Sequence, residues 1–187
     1  MAFHRTYIAD LLGAMDKDLA LGVQSELATL IGPCVSDLYE GNWVYFADAT
    51  TKAGAHECLV YFMPPGRSIV LQSPKLPKGD FELGGDQGGN TNPNSGACEV
   101  YVKWKDAKTL ARLAFHELLH NRLKLGNTLH KEDGLRTGGV ITSATKLTDG
   151  NKRDMAKGIK QPVPQWSDGI ILMTNGFHDP MSEFYKP

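Results

Sequence analysis

Three kinds of hydrophobic pattern succeed one another along the chain. Between residues 7 and 32, Ile8, Leu11, Leu12, Met15, Leu19, Leu21, Val23, Leu27, Leu30 and Ile31 fall mostly at helical spacing. Gly13 and Gly22 are breaks in that run, so one or two helices are predicted. From Asn42 the period shortens. Trp43 to Phe46, Cys58 to Phe62 and Ser68 to Leu71 are short β-prone runs divided by Gly, Pro or polar turns, which predicts an antiparallel or mixed sheet. Val100, Val102 and Trp104 then alternate with polar neighbours, as in a half-buried strand. A helix over 106–125 follows almost at once, with Asp106 as N-cap and neither Gly nor Pro until Gly126. Beyond it the chain reads as irregular to about Leu147, then as a short helix near Asn151 to Ile159, an apolar run from Gly169 to Met173 and a turn-rich end. The predicted fold class is α+β, a single domain over 1–187 with sheet and helices in 1–125 and a C-terminal part in 126–187.

Composition changes this picture in one place. Glycine and proline, 20 and 10 of 187 residues, are only modestly in excess, but Gly84, Gly85, Gly88, Gly89 and Gly96 crowd together just before the last strand. That stretch is predicted to be a loop, placed as a flap or rim beside whatever the next helix carries. Asp86, Asn90, Asn92 and Asn94 offer oxygen ligands there, but no bidentate Glu stands at EF-hand spacing, so no calcium site is assigned. Twenty Lys and Arg against 21 Asp and Glu exclude a binder of nucleic acid, which needs clustered cations. Cys34, Cys58 and Cys98 contain no CxxC pair, which speaks against a cysteine zinc site and leaves one bridge open. Asp10, Asp16, Lys17 and Asp18 interrupt the first hydrophobic run, so it is not a signal peptide, and no window is long enough to span a membrane. The expectation is a soluble protein that is cytosolic, a mature fragment, or exported by a route that uses no N-terminal signal.

The candidate chemistry lies inside the long helix, at His116-Glu117-Leu118-Leu119-His120. Residues i and i+4 project from one helical face, so both imidazoles can address one ion, while Glu117 sits about 100° away, within reach of a water on that ion. With six His and eight Glu in the chain, the chance of an accidental HExxH is roughly 1 in 100. Two neutral His ligands and a carboxylate to accept a proton from bound water are the parts of a zinc hydrolase.

The motif resembles that of the zincin metallopeptidases and, within them, the metzincins, whose pattern is HExxHxxGxxH followed by a methionine turn. Here the stretch reads HELLHNRLKLGNTLH, with Gly126 six and His130 ten residues after His120, four longer than the family pattern. Six helical residues advance about 9 Å and four extended ones return about 13 Å, so the longer loop can still bring His130 back. Gly126 is the expected left-handed helix terminus. His130 is therefore the leading third ligand, with Glu183, Asp133, Asp149 and His178 as alternatives; His4 and His56 lack ligand spacing. The resemblance further implies one catalytic zinc ion, Glu117 as general base, a methionine beneath the metal (Met181, or else Met173), and Tyr185 as an oxyanion or metal partner. It also implies a sheet edge for an extended peptide or protein substrate. A small zincin without a signal peptide resembles bacterial effector or toxin domains, which would imply delivery by a specialised secretion system and a cognate inhibitor or immunity protein, and it equally resembles a phage or housekeeping protease. The rival readings are a zinc-binding protein without catalysis and an interaction module without metal.

Overall fold

The computed structural model describes residues 4–36, 38, 41–72, 88–131, 133–168 and 170. Among the described residues, five strands, β1 (His4–Ala9), β2 (Asn42–Phe46), β3 (Cys58–Met63), β4 (Gly89–Asn92) and β5 (Ala97–Tyr101), form one sheet in the order β2-β1-β3-β5-β4. The helices are α1 (Lys17–Val35), α2 (Ile69–Gln72), α3 (Ala107–Leu123) and α4 (Asp149–Lys160), and two 3-10 turns, Asn127–Leu129 and Gly134–Arg136, link α3 to α4. β1 is parallel to both β2 and β3, β3 is parallel to β5, and only β4 runs antiparallel to its neighbour. The sheet is therefore mixed and the fold α+β at the coarse level predicted.

Parallel strands covered on both faces are largely apolar, and β3 and β5 are buried at every residue, with Glu99 the one charged side chain among them. On one face Ile8, Val44, Cys58, Val60, Phe62, Cys98 and Val100 pack beneath α1, α3 and α4. On the other, Ala9, Leu59, Tyr61, Met63 and Tyr101 pack with Ile69, Trp166 and Ile170. Glycine lets the helix layer close up: a Cβ at Gly22 of α1 would stand 2.9 Å from the Cβ of Ala107 in α3.

Several expectations are corrected. Residues 7–9 are strand rather than helix, because β1 is the strand that β2 and β3 flank and long-range pairing outweighs the helical spacing of Ile8. The Asp10 carboxylate accepts from the backbone N–H of Ala14 and Met15, and Gly13 sits at φ +62°, so the helix starts only after the Asp16 cap. Residues 69–72 are helical rather than extended, since the buried Glu99 carboxylate draws in the N–H groups of Ile69 (2.8 Å) and Val70 (3.3 Å) and the hydroxyl of Ser68. Residues 89–92, read as loop, form β4: the turn at 93–96, closed by Gly96 at φ +71° and by N–H groups of Ser95 and Gly96 on the Asn92 carbonyl, makes a hairpin with β5. β5 is wholly rather than half buried, and Trp104 lies past its end, 40% exposed. All three cysteines are free and buried, so no bridge joins them.

Candidate metal centre

α3 carries its chemistry in its C-terminal half. Asp106 caps the helix as expected, accepting from the N–H of Lys108 and the hydroxyl of Thr109. Ten residues on, His116, Glu117 and His120 are 6%, 6% and 8% exposed. Polar groups at such depth require partners. The Nδ1 of His116 donates to the Leu135 carbonyl and that of His120 to the Leu125 carbonyl, each at 2.7 Å. Those bonds put the proton on Nδ1 and leave an Nε2 lone pair on each ring.

The two Nε2 atoms stand 3.1 Å apart, and the Nε2 of His130 lies 3.2 Å from that of His120. The rings of His116 and His130 stack at 14°. His130 arrives through a reversal different in detail from the one expected. Lys124, not Gly126, takes the left-handed conformation (φ +55°), its N–H reaching back to the carbonyls of Asn121 and His120. The tight Asn127–Leu129 turn then swings the chain round. Gly138 backs the third ring, where a Cβ would approach His130 to 3.2 Å. His116 and His120 are buried and His130 exposed, so the cluster opens on one side.

The Leu135 carbonyl is itself positioned. Asn151 of α4 accepts from the Leu135 N–H at 2.8 Å and donates to the Asp133 carbonyl at 3.1 Å, fixing the Gly134–Arg136 turn. Arg136 clamps the same turn, paired with Asp133 and with Asp154. Deeper in the helix layer, Arg122 is fully buried and donates to the carbonyls of Ala55, Glu57 and Gln161 at 2.7 to 3.1 Å, which ties α3 to the loop before β3 and to the end of α4.

Burial is the leading cause of every shift in acidity here. It lowers the pKa of His116 to about 3, helped by the neighbouring His120, and lowers those of His120 and His130 as well. The cluster is thus neutral, the state in which imidazole binds metal. Burial pushes Glu117 up to about 8, opposed by a hydrogen bond from Thr91.

His116, His120 and His130 come together as the spacing required, and these three histidines can hold a metal ion. Asp133 and Asp149 do not join them. Asp133 is paired with Arg136, and Asp149 faces solvent beside Lys152 at 2.9 Å. Glu183, His178, Met173, Met181 and Tyr185 lie outside the described residues, as does Asp86. His4 is buried with its Nε2 on Thr6, its pKa lowered to about 4 by burial and by Arg122, and His56 bonds the Ile159 carbonyl. Sequence reasoning missed Thr91, Asn151 and the carbonyls of Leu125 and Leu135. Asn151 alone left a trace, standing at the third position of a capping box opened by Thr148.

Comparison of the chain with family models, curated proteins and solved structures finds no match in any of the three.

Proposed function

We propose that the protein is a zinc-dependent metallopeptidase of the zincin type, with His116, His120 and His130 as metal ligands and Glu117 as general base. The observation that carries this reading is the convergence of three imidazole Nε2 atoms, two of which, on His116 and His120, present lone pairs with no proton between them. With Nδ1 committed to carbonyls, the Nε2 atoms of His116 and His120 face one another at 3.1 Å, a repulsive contact that a cation converts into a site. Ligand nitrogens about 2.0–2.1 Å from a tetrahedral zinc are about 3.3 Å apart. The separations of 3.1 and 3.2 Å fit that arrangement. Three nitrogen donors and an open side are the ligand set of a catalytic rather than a structural zinc.

Zinc bound there supplies a Lewis acid for the scissile carbonyl and a water that loses its proton near neutral pH. The chain's own residues do the rest. Leu135 and Leu125 hold the two helical imidazoles in the ligating tautomer. A cation's charge at the three imidazoles would draw the Glu117 carboxyl, raised by burial, back to its ionised form, and Glu117, one residue from the first ligand and outside the ligand group, then takes the proton of the attacking water and returns it to the departing amine. β4, the outer strand beside α3, is the edge along which the zincin resemblance lays an extended peptide.

Glu117→Gln tests the reading. Cleavage of a mixed peptide library should fall by roughly 10²- to 10⁴-fold while bound zinc stays at the wild-type level. A purified variant that cleaves as fast as wild type contradicts it.

A further inference from the structure

β4 is four residues long and forms the edge of the sheet, yet its inner face meets the most consequential carboxylate of α3. Alternate residues of a strand share a face, so Gly89 and Thr91 both point where their partners in register, Val100 and Cys98, point: toward the helix layer. Thr91 is 6% exposed, and its hydroxyl lies 2.6 Å from Glu117 Oε2 and 3.1 Å from the Glu117 carbonyl. One hydroxyl proton serves the shorter contact. The branched Thr side chain is stiff at χ1, so the hydroxyl is held in place.

Gly89 supplies the complementary half. A Cβ there would stand 2.7 Å from both Cγ and Oε1 of Glu117, and 2.6 Å from the Glu99 carbonyl. Its φ lies outside the left-handed region, so space, not backbone freedom, is what the position demands. One oxygen of Glu117 is thus gripped by a donor, while the other lies over the one residue type that leaves it room.

We infer that Thr91 is a positioning residue for Glu117: its hydroxyl fixes Oε2, Gly89 makes room for Oε1, and Oε1 is thereby the oxygen left to take and return a proton. The inference rests on the proposed role of Glu117 as proton acceptor. It makes the sheet edge part of the catalytic apparatus, because the strand nearest an incoming substrate also sets the angle of the base. A carboxylate free to rotate would spend much of its time misaligned, and misplacement by about 1 Å can cost about 10²-fold in rate.

The test compares Thr91→Val, which keeps shape and loses the donor, with Thr91→Ser, which keeps the donor. With zinc content equal to wild type, Thr91→Val should lower kcat roughly 10- to 100-fold with KM within about twofold, and Thr91→Ser should restore kcat to within about threefold. A second readout needs neither metal nor turnover. In metal-free protein labelled with ¹³C at glutamate carboxyls, the Glu117 resonance, assigned by its loss in Glu117→Gln, should move in Thr91→Val and return in Thr91→Ser. Wild-type kcat in Thr91→Val overturns the positioning role and leaves the peptidase reading intact; an unmoved resonance overturns it equally. A resonance that moves in Thr91→Val alone, in a protein that cleaves no peptide, supports the Thr91 grip and removes the peptidase reading.

Discussion

α1 and α3 lie against each other on one face of the sheet, are of similar length, and each starts at an aspartate cap. They differ in what they bury. α1 hides Val23, Leu27, Leu30, Ile31, Cys34 and Val35, all apolar or thiol, and its work is done once they are out of water. α3 hides an apolar row too, but also His116, Glu117, His120, Asn121 and Arg122. Each of these takes a partner from outside the helix: the Leu135 carbonyl for His116, the Thr91 hydroxyl for Glu117, the Leu125 carbonyl just past the helix end for His120, the Gly96 carbonyl at 2.5 Å for Asn121, and three loop carbonyls for Arg122. Buried polar groups are tolerated only when satisfied, so the loops around α3 are shaped by the helix they serve. A helix selected for packing alone would resemble α1.

The sharpest break of this contrast is to remove a ligand from one helix and a core residue from the other. His116→Ala or His120→Ala should abolish zinc uptake, read by metal analysis after dialysis. Leu27→Ala should leave uptake unchanged while lowering stability to urea by about 2–5 kcal/mol. Arg122→Met comes next. It strips the donor from buried carbonyls and should destabilise the fold by about 3–5 kcal/mol, with the metal site affected only as far as α3 loosens.

The polar burial of α3 should also appear as pH dependence in the metal-free protein. Glu117 has its pKa raised from 4.5 to about 8, so between those values the unfolded chain binds fewer protons than the folded one. Stability should therefore fall as pH rises through that window, by on the order of 5 kcal/mol, and Glu117→Gln should flatten the fall. His4 acts in the opposite sense. Its pKa is lowered from 6.5 to about 4, so stability is lost as pH drops between those values. The smallest effect belongs to the turn that ends α3. Lys124 holds φ +55°, so Lys124→Gly should gain about 0.5–1 kcal/mol in urea unfolding and leave zinc affinity where it was.

What the sequence made legible was local. The i, i+4 spacing of His116 and His120, the return to His130, the Asp106 cap and the β-prone runs of β2 and β3 are all short-range patterns, and all reappear in the structure. What it hid was non-local. β1 shows its nature only when β2 and β3 flank it. Residues 69–72 are drawn into α2 around Glu99, thirty residues away along the chain. β4 reads as a glycine-rich loop until β5 pairs with it. The same holds within the site: the carbonyls that fix the histidine tautomers belong to the backbone, which carries no residue signature, and Thr91 is an ordinary strand residue until its hydroxyl meets Glu117. Gly126 was the obvious candidate for the left-handed turn, but the chain reverses two residues earlier, at a lysine.

If α3 buries its histidines to hold a metal, the three rings must bind an ion together. Titrating zinc into tag-free, metal-free protein tests it most directly, with wild type and His130→Ala compared by competition against a chromophoric chelator. One tightly held ion per chain is expected, and a large loss of affinity when the ring that closes the cluster is removed. No uptake by wild type, or uptake indifferent to His130, would contradict it.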